Sequence, residues 1–139
     1  MKNVVIDTSV TVKLLNDQQE TYIKQANKVL LDAKKGKIFL LAPELSRYEI
    51  GNAILKKKLD MPFAQDTLEI AYDLPIQFVK ETYKLARQTY EIAIESNITY
   101  YDASFIALAI QENAILVTDN VKHQGKISKI KVTPLSKYK

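Results

Sequence analysis

The 139-residue chain has no cysteine. That excludes disulfides, a thiolate metal site and a thiol nucleophile. Its one histidine, His123, sits in a polar stretch. It reads as a solvent-exposed side chain rather than a general base, and there is no second histidine to make a ligand pair. Arginine is scarce too: only Arg47 and Arg87 occur, so nearly all the positive charge is lysine. No apolar run reaches membrane-spanning length. The apolar run after Lys2 is short and broken by Asp7, which does not fit a secretory signal. There is no internal repeat and no low-complexity linker. These absences point to a cytoplasmic protein. The remaining composition, 47% hydrophobic and 26% charged, is that of an ordinary globular chain. Its length suits a single domain over residues 1–139 with a sizeable core.

The charge balance is basic, with 20 Lys+Arg against 16 Asp+Glu and a net charge of +4. A basic balance favours a polyanionic partner, although many small basic proteins bind no nucleic acid.

Short β-rich runs alternate with helical patterns. "KNVVID", "KIFLLA", "PIQFVK", "AILVTDN" and "KIKVTPL" read as strands. Helices are expected from about Ser9 to Leu15, over "QQETYIKQANKVLLDAKKG" with Gly36 as its stop, and over "ELSRYEIGNAILKKK" after Pro43 at the helix start. Three more follow: one from Pro62 through "FAQDTLEIAYDL", one over "ETYKLARQTYEIAIESN" ending at Asn97, and one over "YDASFIALAIQEN". Val121 to Ser128 reads as a loop or broken helix. Strands joined by helical crossovers predict an α/β fold with a mainly parallel sheet and helices on both faces. Ligands of such sheets bind beyond the carboxyl ends of the strands.

Four acids stand at structural punctuation points. Asp7 ends the first strand, and Asp119 ends a later one in "LVTDN". Asp102 opens a helix in "TYYDASFIALA". Glu49 interrupts an apolar series inside a helix, and spacing of three to four puts Glu49, Asn52 and Lys56 on one stripe. Each acid has a plain explanation: Asp7 and Asp102 as helix N-terminal acids, Asp119 as a turn residue, Glu49 as a side chain reaching for water. Together they read differently. Clustered carboxylates raise one another's pKa unless cations neutralise them. An all-oxygen donor set implies a hard ion, Mg²⁺ or Mn²⁺. Such ions serve phosphodiester hydrolysis. With four acids facing metal, 16 − 4 leaves 12 against 20 basic residues, a surface suited to nucleic acid.

These residues resemble the PIN-domain nucleases, especially the VapC-type toxins of toxin–antitoxin pairs. The likeness rests on "VVIDTSVTVKLL", "APELSRYEIGNAILKK" and "ITYYDASFIALAIQENAILVTDN", and covers essentially the whole chain. It implies a three-layer α/β/α sandwich and a metal-dependent ribonuclease. It assigns Asp7, Glu49, Asp102 and Asp119 to catalysis and metal binding. Of Thr8 and Ser9, Ser9 is chosen for the small polar residue that follows the first acid. Asn52 matches an "E-x-x-N-A" pattern, and Thr118 and Asn120 flank Asp119 as supporting residues. The "TDN" here departs from relatives in which a second Asp or an Arg often follows, which leaves the part of Asn120 open. The resemblance further implies RNA as substrate, a cognate antitoxin as partner and a homodimer. Lys13 and Lys56 are candidate phosphate contacts, each weighed against a solvated surface lysine. The tyrosines are expected in core or dimer packing, and the helices from Pro62 to Asn97 as a dimer face or an antitoxin groove.

Three other readings remain. A haloacid-dehalogenase-type phosphatase would need an acid at Ser9, and it has none. A catalytically idle PIN-like module would bind RNA or protein without cutting. A PIN nuclease could also serve RNA processing or DNA repair rather than act as a toxin.

Overall fold

A computed structural model describes residues 1–121 and 129–139. His123 lies outside the described residues, as does most of the loop expected over Val121 to Ser128.

The elements run β1 (Lys2–Ile6), α1 (Thr8–Leu15), α2 (Ile23–Lys34), β2 (Ile38–Pro43), α3 (Ser46–Lys56), α4 (Met61–Asp73) and β3 (Ile76–Val79). They continue with α5 (Tyr83–Ser96), α6 (Tyr100–Gln111), β4 (Ile115–Thr118) and β5 (Val132–Pro134), then a 3₁₀ turn over Leu135–Lys137. The strands form one sheet in the order β3-β2-β1-β4-β5, with every neighbouring pair parallel.

Alternation along the strands fills both faces, because successive side chains point to opposite sides. Val5, Leu41 and Leu116 join Phe105, Ile106 and Leu108 of α6 and Leu85 and Ile92 of α5. Val4, Ile6, Leu40 and Val117 meet Val10 of α1, and Ala26 and Val29 of α2. The result is three layers, α/β/α. Helix α6 is buried from Ala103 through Ala109 without a break. A helix apolar all round is stable only when covered on all sides; α5 closes over it.

Two boundaries depart from the sequence reading. Pro43 does not open a helix. It is the last residue of β2, paired in register with Val79, and the helix begins three residues later at Ser46. A proline fits a strand end because the next hydrogen bond to Val79 O comes from the Glu44 N–H, at 2.9 Å. Helix α2 starts at Ile23 rather than near Gln18, since Tyr22 takes a left-handed conformation at φ 56°. The segment before it is held another way: Lys57 Nζ donates to the carbonyls of Asn16 and Gln18 at 3.2 and 2.6 Å. Pro62 does sit in the first turn of α4, and Asn97 closes α5 in the left-handed region at φ 50°. Six of the eight tyrosines, Tyr22, Tyr48, Tyr72, Tyr83, Tyr90 and Tyr101, are exposed rather than in the core, while Tyr138 packs partly buried against it.

Candidate active site

The chain reverses direction across the sheet at β1. One crossover leads to β2 on one side, and β4 lies on the other. A cleft opens beyond the carboxyl ends at such a switch point. Asp7 stands there, just past Ile6. Its N–H extends the ladder by donating to Val117 O at 3.0 Å. That brings Thr118, at the end of β4, beside it.

Asp7 occupies the N-cap position of α1, yet its side chain makes no capping bond. The carboxylate is held by hydroxyl groups instead. Oδ2 accepts from Ser9 Oγ at 2.8 Å and from Thr118 Oγ1 at 2.9 Å. The residue is 7% exposed. Burial pushes its carboxyl above the usual range; the Ser9 and Thr118 hydroxyls oppose the shift and the Asp102 charge adds to it. A helix cap would not need this environment.

Glu49 reaches the same edge from α3, where it is half-buried. Thr8 Oγ1 donates to its Oε1 at 2.7 Å, and the buried Ser46 hydroxyl lies 3.2 Å from Thr8 Oγ1. Burial raises the Glu49 carboxyl, against the Thr8 hydrogen bond and with help from the Asp7 and Asp102 charges. Asp102 lies in the first turn of α6, but Thr99 is the cap, its hydroxyl accepting from the Asp102 N–H at 3.0 Å. Asp7, Glu49 and Asp102 therefore share one electrostatic neighbourhood.

Asp119 takes a different environment. Its N–H donates to Ser9 Oγ at 3.2 Å, which ties it to Asp7 through one hydroxyl. Its carboxylate pairs with Lys13 Nζ at 3.1 Å. Lys13, read from the sequence as either a phosphate contact or a solvated surface lysine, is 4% exposed. It also pairs with Glu20 at 3.1 Å, and Glu20 pairs in turn with Lys57 at 3.0 Å. For Glu20, burial alone would raise the carboxyl, but hydrogen bonds and charge from Lys57 and Lys13 outweigh it and hold the group below its usual value.

A cavity of about 400 Å³ opens between these elements, lined among others by Thr8, Ser9, Glu20, Glu49, Asn52, Lys56 and Asp119. The stripe Glu49, Asn52 and Lys56 thus faces a single space, with Asn52 and Lys56 exposed. Asn120 contributes its backbone, the N–H donating to Thr118 Oγ1 at 2.9 Å. The sequence reading missed Glu20, Ser46 and the part of Thr8. Ser46 carried a signal, because S-x-x-E is the spacing of a capping box; here the Ser46 hydroxyl meets Thr8 instead.

The donor set suits a hard cation: carboxylates, hydroxyls and an amide, with two carboxyls disfavoured as anions by burial and mutual repulsion. Among the described residues, no three acidic or histidine side chains draw together closely enough to hold an ion by themselves. Waters would complete any shell, as Mg²⁺ favours.

A model of the PIN domain family matches residues 4–128. No curated protein matches the sequence significantly. Among solved structures, a chain of VapBC2 from Rickettsia felis, bound to a DNA fragment from their promoter, superposes with a TM-score of 0.74 at 21% identity. The match covers 95% of this chain and 98% of that one. DNA-bound VapBC from Salmonella typhimurium gives 0.71 at 13% identity, covering 97% and 99%. The Mycobacterium tuberculosis toxin VapC20, which cleaves the Sarcin-Ricin loop, gives 0.61 at 16%, covering 81% and 86%. At these identities the likeness establishes the fold.

Proposed function

The chain belongs to the PIN domain family, and from that premise we propose that it is a Mg²⁺- or Mn²⁺-dependent endoribonuclease, the toxin of a toxin–antitoxin pair. One observation carries the reading. Asp7 is a buried carboxylate at the switch point of a parallel sheet, making no helix-capping bond and disfavoured as an anion by burial and by Asp102. That arrangement costs stability unless a cation is bound.

Asp7, Glu49 and Asp102 would hold the ion together with waters, with Asp119 at the margin of the site. The ion, when bound, supplies water activation and stabilisation of charge on the phosphate oxygens. The protein's own part is orientation. Ser9 and Thr118 fix one oxygen of Asp7. Thr8 fixes Glu49. Hydrogen bonds of this kind, one step behind the ligands, keep the carboxylates aimed at one point. Asn52 and Lys56, both exposed on the cavity wall, meet the substrate, Lys56 at a phosphate.

RNA as substrate is supported by the basic balance of the chain and by the Sarcin-Ricin loop cleavage of VapC20. An antitoxin partner is supported by the VapBC complexes among the structural neighbours. Exposed Leu55, Met61 and Leu68 line a second, largely apolar cavity of about 440 Å³ between α3 and α4. It suits an amphipathic helix of that partner. A homodimer and a cytoplasmic setting belong to the same reading; no helix among the described residues is long and apolar enough to cross a membrane.

The test is cleavage of labelled RNA by the purified protein with Mn²⁺, Mg²⁺ or EDTA, beside Asp7→Asn. We expect cutting that needs metal and disappears in the variant. Equal behaviour of the two proteins across many RNAs, together with no Mn²⁺ binding, would instead make the chain a PIN-like binding module.

A further inference from the structure

The acids at the sheet edge divide by what neutralises them. Glu20 and Asp119 face two ammonium groups, Lys13 and Lys57. Two anions meet two cations, so this quartet is neutral without any metal. Lys13 is its hinge. The side chain is 2% exposed and sits 3.1 Å from each carboxylate. By contrast, among the described residues no lysine or arginine forms an ion pair with Asp7 or Glu49.

We propose that Lys13 is the resident cation of Asp119, so that the acids of this sheet edge take up one divalent ion, at Asp7, Glu49 and Asp102, and none beside Asp119. This rests on the reading above that this edge binds such an ion, and it specifies the number. The physical reason is direct. A carboxylate with an ammonium at hydrogen-bond distance already has its charge met, and the ammonium repels a divalent ion brought to the same oxygens. The lysine cannot easily swing away. It is buried, and its second partner, Glu20, is itself anchored by Lys57, which also holds the Asn16 and Gln18 carbonyls. Lys13 is therefore a positioning residue: it keeps Asp119 and the Glu20 wall in place while leaving one ion site open.

The experiment is Mn²⁺ titration of the full chain by calorimetry, with free Mn²⁺ followed by electron paramagnetic resonance. Wild type is expected to bind one Mn²⁺ per chain. Asp119→Asn, which leaves Lys13 paired with Glu20, should bind one as well, with affinity within about threefold of wild type. Asp7→Asn should bind none. Lys13→Met, if it folds, should gain a second, weaker Mn²⁺ beside the released carboxylates; the Asp119→Asn result decides the matter if it does not. Two ions in wild type, one of them lost in Asp119→Asn, would overturn the assignment of Lys13 and leave the metal site standing. No Mn²⁺ in wild type would overturn the metal reading and this inference together.

Discussion

At the sheet edge, Asp7, buried behind Ser9, and Glu49, on the cavity wall, take side-chain hydrogen bonds from Ser9, Thr118 and Thr8. Glu20 and Asp119 take theirs from lysine ammonium groups. The same residue chemistry thus has opposite thermodynamics a few side chains apart. Hydroxyls orient a carboxylate without cancelling its charge, so burial wins and Asp7 and Glu49 are raised. Ammonium groups cancel it, so Glu20 is lowered despite burial. Among the described residues neither Asp7 nor Glu49 has an ammonium partner, whereas Glu20 and Asp119 carry their own cations.

The sharpest way to break this contrast is to remove a hydroxyl. Thr8→Val keeps the shape of the side chain and deletes the donor to Glu49 Oε1. Loss of one such orienting bond typically costs about 10–100-fold in metal affinity or activity. We expect that range in both Mn²⁺ affinity and RNA cleavage, with Thr8→Ser restoring most of it. A Thr8→Val protein that cleaves like wild type would show that Glu49 needs no orienting.

Much of the hydroxyl-bound pair was legible in the sequence. The strand that stops on Asp7, the parallel sheet and the Glu49, Asn52, Lys56 stripe all follow from local periodicity, which is fixed by backbone geometry. Ser9, the residue chosen to follow the first acid, bonds Asp7, and Thr8 separately bonds Glu49. Neighbours on a helix point about 100° apart, so Ser9 faces Asp7 while Thr8 faces Glu49. The lysine-bound pair was not legible. Lys13 finds one partner 106 residues away at Asp119, and Glu20 meets Lys57 across 37. Nothing in local spacing distinguishes such a lysine from a solvated one. Only the closing of β1 against β4 and of α1 against α3 puts these groups together.

A smaller effect, of opposite sign in the two pairs of acids, is expected in stability against pH. Asp7 has a folded pKa above its ordinary 3.8. As pH rises from there, the unfolded chain releases this proton before the folded one does, so the folded state binds more protons and stability falls. Glu20, held below its ordinary 4.5, stabilises the fold above that value and loses the contribution as pH falls through its folded pKa. In EDTA near neutral pH, Asp7→Asn should therefore melt higher than wild type, by about 3 °C. Its amide oxygen still accepts from Ser9 and Thr118. The gain should shrink as pH drops from the raised folded pKa toward 3.8, because folded wild-type Asp7 takes up its proton at a higher pH than the unfolded chain does. Glu20→Gln should melt lower at neutral pH. If Asp7→Asn melts lower too, the two pairs do not differ in the way described.

The smallest expected effect concerns two lysines side by side. Lys56 is exposed on the cavity wall, whereas Lys57 is turned inward onto Glu20 and the Asn16 and Gln18 carbonyls. If Lys56 meets a phosphate, Lys56→Ala should weaken RNA binding by about threefold at moderate salt and lower the slope of log K against log salt by about 0.7, the value for one contact on a single strand. Binding is best read by fluorescence anisotropy in an Asp7→Asn background, where the RNA stays whole. Lys57→Ala should leave the slope unchanged and instead cost about 2 kcal/mol in urea unfolding, because it strands Glu20 and two carbonyls. The pair separates charge that meets the substrate from charge that meets the protein. An unchanged slope in Lys56→Ala would reduce that lysine to a solvated one and move the RNA path to another face of the cavity.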